Sequence, residues 1–166
     1  IQGYAGAMSI TGTDKENPVK SGIPIADLGA GLYAVIGILS AIQSREKNDS
    51  GEHVDISMLD TQVSLLTYMA TMHFLSGENP EPIGNQHMNH VPFNSYRTLD
   101  GFIQIGVVAE DFWPSLIEAL DLRQLDTEEN KVRIGRLKNR ENIDKALQEV
   151  FICLLYTSDA ADDTCC

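Results

Sequence analysis

One carboxylate, Asp27, stands directly before a long apolar run that contains no other charged residue until Arg45. Aspartate is a favoured helix N-cap, because its side-chain oxygen accepts a backbone N–H of the first turn. The run predicts a helix over residues 28–43 that is apolar on nearly every face and therefore buried. An acid at the positive end of a buried helix is a candidate reaction centre, since that end stabilises an anion. The alternative at this point is that Asp27 only caps the helix.

Three glycines, Gly29, Gly31 and Gly37, lie inside this predicted helix. Each costs about 1 kcal/mol of helix propensity relative to alanine, which indicates that another helix or a ligand comes close to the backbone. A membrane span is a second interpretation of the same run. We expect it to be wrong, because residues 28–42 number only 15. A span usually needs roughly 18 residues or more, and Asp27 stands at one end.

Two further carboxylates follow in the next predicted elements. Asp60 lies at the start of a predicted helix, where aspartate is common because it complements the helix dipole. Asp55 lies in a predicted strand and is expected to bond locally. Neither is therefore expected to take a direct part in the chemistry.

The histidines and cysteines do not form a metal-binding pattern. His87 and His90 lie in a polar loop, where they either close on a substrate or are solvated. With His53 and His73 they are too scattered for metal-ligand spacing. The cysteines all fall in the last 14 residues, which fits neither a zinc site nor a disulfide framework: Cys153, Cys165 and Cys166.

Composition and charge describe an acidic globular chain. Its 166 residues make one domain or parts of two, and 43% hydrophobic and 22% charged residues are ordinary for a soluble protein. A formal net charge of −12 argues against a nucleic-acid partner. We find no signal peptide and expect a cytoplasmic location. Because Ile1 is not an initiator methionine, we expect the chain to begin within a longer protein or after processing.

The first half of the chain alternates between predicted helices and a strand. Residues 1–12 are small and glycine-rich and predict a short helix that ends at Gly12. Alternating polar and apolar residues predict a strand over residues 53–58. Apolar residues three or four positions apart predict a helix over residues 59–75. Helix, strand and helix in this order are expected of an α/β sheet with covered faces.

The second half begins with a long polar segment, residues 76–91, which is typical of a functional loop or a linker. Two strands are then predicted around a Leu99-Asp100-Gly101 turn, followed by two helices. The predicted ranges are 93–98 and 102–108 for the strands, and 111–122 and 141–152 for the helices.

The order of these elements indicates a large domain, a linker, the start of a small domain and a C-terminal tail. Residues 1–75 belong to a large α/β domain, residues 76–92 form a linker, and residues 93–152 begin a small domain. Residues 153–166 break the helical pattern and resemble the translated read-through of a sequencing adapter. We therefore expect this tail to be non-native and to lie outside the fold.

Three ordered blocks of sequence carry a family resemblance. The first is KSGIPIADLGAGLYAVIGILSAI over residues 20–42, and the second is GEHVDISMLD over residues 51–60. The third lies within residues 84–102 and comprises GNQH, VPF and TLDGF. Together they resemble the class III CoA-transferases, which include formyl-CoA, carnitine and dicarboxylate CoA-transferases and the related α-methylacyl-CoA racemases.

The resemblance implies a fold and a reaction. The fold is α/β, with part of a parallel-sheet, nucleotide-binding-like (Rossmann-like) large domain, a linker and the start of a small α+β domain. The reaction moves CoA between carboxylic acids, with Asp27 as the nucleophile that carries the acyl group and then CoA. Acyl-CoA and an acceptor acid are the substrates, and no cofactor is bound permanently. The resemblance also implies an interlocked homodimer of the full-length protein, with residues 76–92 as one linker.

Six more residues are implied in binding substrate or CoA: Gln2, Gly29, Gly31, Gly84, Asn85 and His87. The two glycines of the helix would leave room for a thioester and offer N–H groups to an oxyanion. The sequence departs from the family pattern at Met88, where many members have proline. Residues 84–92 also lack the glycine-rich lid of formyl-CoA transferases, and family chains are more than twice this length.

Two other functions stay open at this stage. In an α-methylacyl-CoA racemase the same aspartate would act as a base, beside a histidine from the segment that precedes Ile1. In a non-catalytic α/β scaffold, Asp27 would be a plain helix cap. Upstream residues would separate the racemase from the transferase, and a trapped CoA adduct on Asp27 would eliminate the scaffold. No membrane partner is expected in either case.

Overall fold

The computed structural model describes residues 1–155, which fall into two compact units: residues 1–84, and the residues from Asn85 onward. The first unit contains a 3-10 turn at Ala7–Ser9 and the helices α1 (Ile25–Asn48), α2 (Met58–Ser64) and α3 (Tyr68–Ser76). The second contains strands β1 (Phe93–Arg97) and β2 (Phe102–Gly106), helices α4 (Phe112–Ala119), α5 (Arg133–Lys138) and α6 (Arg140–Phe151), and a 3-10 turn at Arg123–Leu125.

Helix α1 begins two residues before Asp27. Pro24 occupies the N-cap position with φ at −78°, and its carbonyl accepts the Leu28 N–H at 3.0 Å. Proline suits the start of a helix because its ring fixes φ and its missing N–H would have no partner there. Asp27 therefore lies in the first turn and caps nothing, so the N-cap prediction is wrong. A carboxylate in the first turn still complements the helix dipole.

Most of α1 is exposed, so the prediction of a buried helix is wrong for this chain. Ala26 is the one residue of α1 that is fully buried, whereas Leu32 and Ile36 are 68% and 59% exposed. The helix has 24 residues and, by length and composition alone, could cross a membrane. Residues 28–42 are thus only part of a longer helix, and their number does not exclude a membrane span, although core helices of soluble proteins pass the same test.

Gly29 and Gly37 lie on the part of α1 that is covered within the first unit. A Cβ atom at Gly29 would lie 2.9 Å from Thr61 Cγ2, and one at Gly37 would lie 2.7 Å from Val54 Cγ1. Both distances are too short for a real side chain. These glycines therefore let residues 54–61 pack directly on the helix backbone, which is the close approach that the sequence predicted.

Two other elements of the first unit differ from prediction. Residues 50–57 pair with no strand among residues 1–155, because alternation suits a segment to a sheet but a strand also needs a hydrogen-bonded neighbour. The helix predicted over residues 59–75 is divided into α2 and α3 by Thr67, whose φ of 50° and ψ of −122° are not helical. The predicted helix near the N-terminus is only the turn Ala7–Ser9.

The hairpin predicted in the second half is confirmed. Strands β1 and β2 are antiparallel, with Phe93 opposite Gly106 and Arg97 opposite Phe102. The Thr98 N–H donates to the Gly101 carbonyl at 2.9 Å and closes the turn. Within residues 1–155 the sheet consists of these two strands. The chain is thus a mixture of helices and a small sheet, and the parallel sheet is not found in the described residues.

Helices α4 and α6 are confirmed, and they pack with the hairpin into one core. Trp113 on α4 and Ile143 and Leu147 on α6 are completely buried. Tyr96 of β1 packs against Phe151, with 5.5 Å between ring centroids. The other buried members of this core are Val91, Val107, Ile117, Leu122, Leu125 and Leu154.

The core extends beyond the predicted end of the domain. Leu154 is 6% exposed, and its carbonyl accepts the Leu99 N–H at 2.9 Å. The expectation that everything after Ile152 lies outside the fold is therefore wrong at Leu154. Residues 156–166, which make up the rest of the predicted tail, lie outside the described residues.

Arg136, at 1% exposed, is the charged group buried in this core. Its guanidinium donates to the carbonyls of Val91 at 2.8 Å and Asn130 at 2.9 Å, and to a carboxylate oxygen of Glu110 at 2.6 Å. It also lies 5.2 Å from the ring centroid of Trp113. The hydrogen bond from Arg136 lowers the pKa of Glu110 below its usual value. A buried cation is tolerated only when its donors are satisfied in this way.

Candidate active site

Asp27 lines an open cavity of about 390 Å³ in the first unit. Three stretches of chain meet there: the N-terminal segment, the loop that leads into α1, and the start of α2. The lining residues are Ile1, Gln2, Gly3, Met8, Lys20, Ala26, Asp27 and Met58. The structure therefore brings together two residues singled out from the sequence, Gln2 and Asp27, and adds Lys20, to which the sequence analysis gave no role.

Gln2 ties the cavity wall to the loop that precedes α1. Its Oε1 accepts the Ser21 N–H at 2.8 Å, and its carbonyl accepts the Met8 N–H at 3.3 Å. The side chain is half-buried. Gln2 thus holds residue 21 in place and, through it, the approach to Asp27. Its predicted contact with substrate stays a prediction.

The Asp27 carboxylate is exposed and unengaged. Within residues 1–155 it makes no hydrogen bond or ion pair with another side chain. Lys20 is likewise exposed and makes none in the same part of the chain. A carboxylate held in the first turn of a 24-residue helix is stabilised as an anion by the helix dipole. Because no partner occupies its oxygens, it is free to attack an electrophile.

The two glycines that follow Asp27 have different surroundings. Gly29 faces α2, where a Cβ atom would meet Thr61, so helix packing accounts for its missing side chain. Gly31 has nothing within 4 Å of the place where a Cβ atom would lie. Backbone N–H groups this far into a helix bond to carbonyls four residues earlier, which leaves them less available to an oxyanion than those of the first turn. Their roles in substrate binding stay predictions.

A second cavity of about 310 Å³ in the first unit contains Asp55 and Asp60. It is lined by Tyr33, Asp55, Ile56, Ser57, Asp60, Thr61 and Ser64. The Asp60 N–H donates to Ser57 Oγ at 3.1 Å, which caps α2. Two carboxylates and no cation line this cavity, so it repels an anionic substrate. The cavity at Asp27 differs because Lys20 contributes a positive charge that can attract an anionic substrate.

The GNQH segment belongs partly to each unit. Gly84 has φ at +64°, and its N–H donates to the Gly12 carbonyl at 2.7 Å, so glycine is needed for the turn itself. In the second unit Asn85 Nδ2 donates to Ser95 Oγ at 3.1 Å. Both residues were predicted to bind substrate. The structure gives each a local structural contact, and their binding role stays a prediction.

His87 is half-buried rather than freely solvated. Its ring centroid lies 4.7 Å from that of His90 and 5.2 Å from that of Phe93. The Asn89 N–H donates to His87 Nδ1 at 3.0 Å, and Arg140 donates to the His87 carbonyl at 2.7 Å. Burial, assisted by the positive charges of His90 and Arg140, lowers the pKa of His87 below its usual value.

Asp144 is the centre of a polar network that the sequence did not reveal. The Tyr96 hydroxyl donates to its Oδ1, and the amides of Gln86 and Asn94 donate to its Oδ2 at 3.1 and 3.4 Å. Burial, with the hydrogen bond to Asp144, raises the pKa of Tyr96. Asn94 and Tyr96 are two positions apart on β1 and so share a face. The spacing of Asn94 and Tyr96 was the one feature of the sequence that pointed to shared contacts of these two side chains. The network fastens the segment before β1 to α6.

Among residues 1–155, no group of three or more histidine, cysteine, aspartate or glutamate side chains could hold a metal ion. The Asp27 cavity offers a carboxylate and an ammonium group, and neither has a side-chain partner among residues 1–155.

Comparison with known proteins adds a family to this geometry. Residues 1–163 match CoA-transferase family III. The chain is 32% identical over 148 residues to a succinyl-CoA:mesaconate CoA-transferase of Haloarcula marismortui, covering 89% of this chain and 37% of that protein. It is 30% identical to the human succinyl-CoA:glutarate CoA-transferase, covering 89% of this chain and 34% of that one. The chain thus spans little more than a third of these relatives.

A solved structure shares the fold. The crystal structure of a CaiB/BaiF family protein from Brucella suis matches with a TM-score of 0.77 and 30% identity, covering 90% of this chain and 40% of that one. A hypothetical protein from Mycobacterium tuberculosis matches with a TM-score of 0.76 at 20% identity, covering 93% of this chain and 41% of that one. The second likeness concerns the fold alone.

Proposed function

The chain belongs to CoA-transferase family III, and on that premise we propose that the full-length protein transfers CoA between carboxylic acids through a covalent intermediate on Asp27. The observation that carries the proposal is the Asp27 cavity. It combines a free carboxylate at a helix start with an unpaired lysine, within the sequence block that resembles the family signature.

The reaction starts with attack of the Asp27 carboxylate on the thioester carbonyl of an acyl-CoA. The C–S bond breaks, the CoA thiolate leaves with the electron pair, and a mixed anhydride remains. The thiolate then attacks the aspartyl carbonyl, so that the donor acid leaves as a carboxylate and Asp27 carries CoA as a thioester. Covalent catalysis of this kind divides one difficult transfer into easier steps.

The acceptor acid repeats the exchange in reverse. Its carboxylate attacks the aspartyl thioester, which releases thiolate and forms a second anhydride. Attack of the thiolate on the acceptor carbonyl then gives the new acyl-CoA and frees Asp27. Every nucleophile and every leaving group in this sequence is an anion, so no step needs a proton transfer. A general base beside Asp27 is therefore not required.

The relatives suggest the substrates. Those named above act on succinyl-CoA with mesaconate or glutarate as the partner acid, and all three acids are dicarboxylic. We propose a dicarboxylic donor and acceptor for this protein, with CoA as a substrate and no permanently bound cofactor. We also propose a cytoplasmic homodimer that completes a parallel, nucleotide-binding-like sheet, without a nucleic-acid or membrane partner.

The test compares two aspartates of the first unit in the full-length protein. Asp27→Asn keeps the shape of the side chain but removes the nucleophile, so transfer from succinyl-CoA to glutarate should fall by several orders of magnitude. Its stability should change by less than about 1 kcal/mol, the size of a helix-dipole contact. Steady-state rates and thermal melting of the purified variants measure the two effects.

Asp60→Asn is the matched control, because Asp60 is also exposed and also lies in the first turn of a helix. We expect near-normal turnover from it. Near-normal transfer by Asp27→Asn would contradict the proposal. Loss of transfer in a well-folded Asp60→Asn would move the nucleophile to the second cavity.

A further inference from the structure

The cavity at Asp27 contains one cationic side chain, that of Lys20. Lys20 is exposed and has no carboxylate partner among residues 1–155. Lys15, in the same loop, differs from it, because its Nζ lies 3.2 Å from Glu81 Oε1 in a surface ion pair. The chain has 24 acidic and 12 basic residues, so most of its lysines could find a carboxylate partner. Lys20 has none among the described residues and lies in the cavity of the candidate nucleophile, which indicates that it binds an anionic ligand.

Lys20 does not serve Asp27 directly. The two side chains line the same cavity but form no ion pair, so the Asp27 oxygens stay free. An ammonium group set apart from the nucleophile can hold one end of a substrate while the other end reacts. A dicarboxylic acid has two anionic ends, so one end can react at Asp27 while the other meets the ammonium group that lines the same cavity.

We propose that Lys20 binds the non-reacting carboxylate of a dicarboxylic substrate and thereby determines specificity for diacids over monoacids. The inference rests on the proposed function, because it assigns the second end of the acid whose first end reacts at Asp27. Lys20 acts as a binding group and takes no part in bond making. Its point-charge ammonium, with three donors, suits a carboxylate that arrives from open solvent.

The neighbouring contacts fix where Lys20 stands. Ser21, the next residue, donates its N–H to Gln2 Oε1 at 2.8 Å. This hydrogen bond joins the loop next to Lys20 to the N-terminal segment that forms another part of the cavity wall.

The experiment measures discrimination between glutarate and pentanoate, two acids of equal chain length that differ in the second carboxylate. In the full-length protein, the ratio of their kcat/KM values as acceptors should fall about 10- to 100-fold in Lys20→Gln. That is the range expected for loss of a hydrogen bond to a charged group. Lys20→Arg should restore most of the ratio, and Lys15→Gln, the matched control, should leave it unchanged.

Two further measurements, the KM for the acyl-CoA and the affinity for glutarate, show which ligand Lys20 binds. If Lys20 bound a phosphate of CoA instead, the KM for the acyl-CoA would rise and the ratio between acids would stay constant, which would overturn the inference. Isothermal titration of glutarate into wild type and Lys20→Gln is independent of transfer. Glutarate affinity that depends on Lys20 without any transfer would overturn the proposed function and leave Lys20 as a group that binds a diacid. Normal transfer with an unchanged ratio of kcat/KM for glutarate over pentanoate would overturn the inference and leave the proposed function in place.

Discussion

The two units of the chain bury their apolar side chains to very different extents. The second unit encloses Trp113, Ile143 and Leu147 completely. In the first unit the buried apolar residues are alanines, Ala5 and Ala26. Large side chains along α1 are exposed instead, although this helix is the most apolar long stretch of the sequence.

The candidate site therefore lies in the unit that has the smaller core of its own. Burial of apolar surface is worth about 25 cal/mol per Å², and the exposed faces of α1 gain none of it within residues 1–84. The second unit gains it fully and also satisfies a buried arginine. We therefore expect the stability measured for this chain to come mainly from the second unit, and the chemistry from the first.

The largest effect on stability should come from Arg136 in the second unit. Arg136→Leu removes the donors of at least three buried or half-buried hydrogen bonds and leaves their acceptors unpaired. Breaking a buried charge network in this way costs roughly 3–5 kcal/mol. Urea unfolding followed by the fluorescence of Trp113, the one tryptophan of the chain, reports on this unit.

Lys15→Leu in the first unit provides the contrast, because its ion pair with Glu81 is more than 60% exposed on both sides. Exposed pairs contribute about 0–1 kcal/mol. Equal losses from the two variants would contradict the view that the second unit alone holds a satisfied charged core.

Two isoleucines, one in each unit, differ in burial and allow the two units to be tested with the same substitution. Ile143 is completely buried on α6, whereas Ile36 on α1 is 59% exposed. Ile143→Ala should cost about 2–5 kcal/mol, as buried truncations do, and Ile36→Ala should stay within about 0.5 kcal/mol. Denaturant titrations of the 166-residue chain, followed by circular dichroism, measure both. A large loss at Ile36 would mean that α1 is covered in solution.

Leu154 tests where the second unit ends. Leu154→Ala should lower its stability by about 2 kcal/mol, at the low end for a buried leucine because the residue is near the end of the core. Leu155, which is 47% exposed, is the control and should give a far smaller change on the same substitution. Equal melting temperatures for wild type and Leu154→Ala would show that Leu154 does not contribute to the core.

The smallest effect should be a pH dependence in the second unit. The pKa of His87 is lowered in the folded chain, so below the usual histidine pKa of about 6.5 the unfolded state binds more protons than the folded state. Stability of this unit should therefore fall as the pH drops below about 6.5. His87→Gln should reduce that slope. An unchanged slope between neutral and mildly acidic pH would show that His87 does not contribute.

The parts of the fold that depend on local pattern could be predicted from the sequence. The Leu99-Asp100-Gly101 turn and its flanking strands indicated the hairpin, and the apolar spacing of residues 141–152 indicated α6 to within a residue at each end. Both predictions are confirmed because turn chemistry and periodicity act over neighbouring residues.

The parts that failed depend on residues far apart in the chain. The exposure of α1 and the missing strand over residues 53–58 are decided by what packs beside them, which alternation and apolarity do not contain. At Asp27, the preceding Pro24 set the start of the helix and displaced the predicted cap. The cavity contact between Gln2 and Ser21, and the pairing of Asp144 with Gln86, join residues 19 and 58 positions apart. No local signal could have shown them.

Trapping the transferred group on the protein shows directly whether Asp27 carries it. The full-length protein is incubated with succinyl-CoA without an acceptor acid, quenched in acid and digested, and the peptide that contains Asp27 is analysed by mass spectrometry. We predict that this peptide carries CoA as a thioester on Asp27 and that hydroxylamine removes it. An adduct on Asp60, or steady transfer with no adduct on the Asp27 peptide, would show that Asp27 is not the nucleophile.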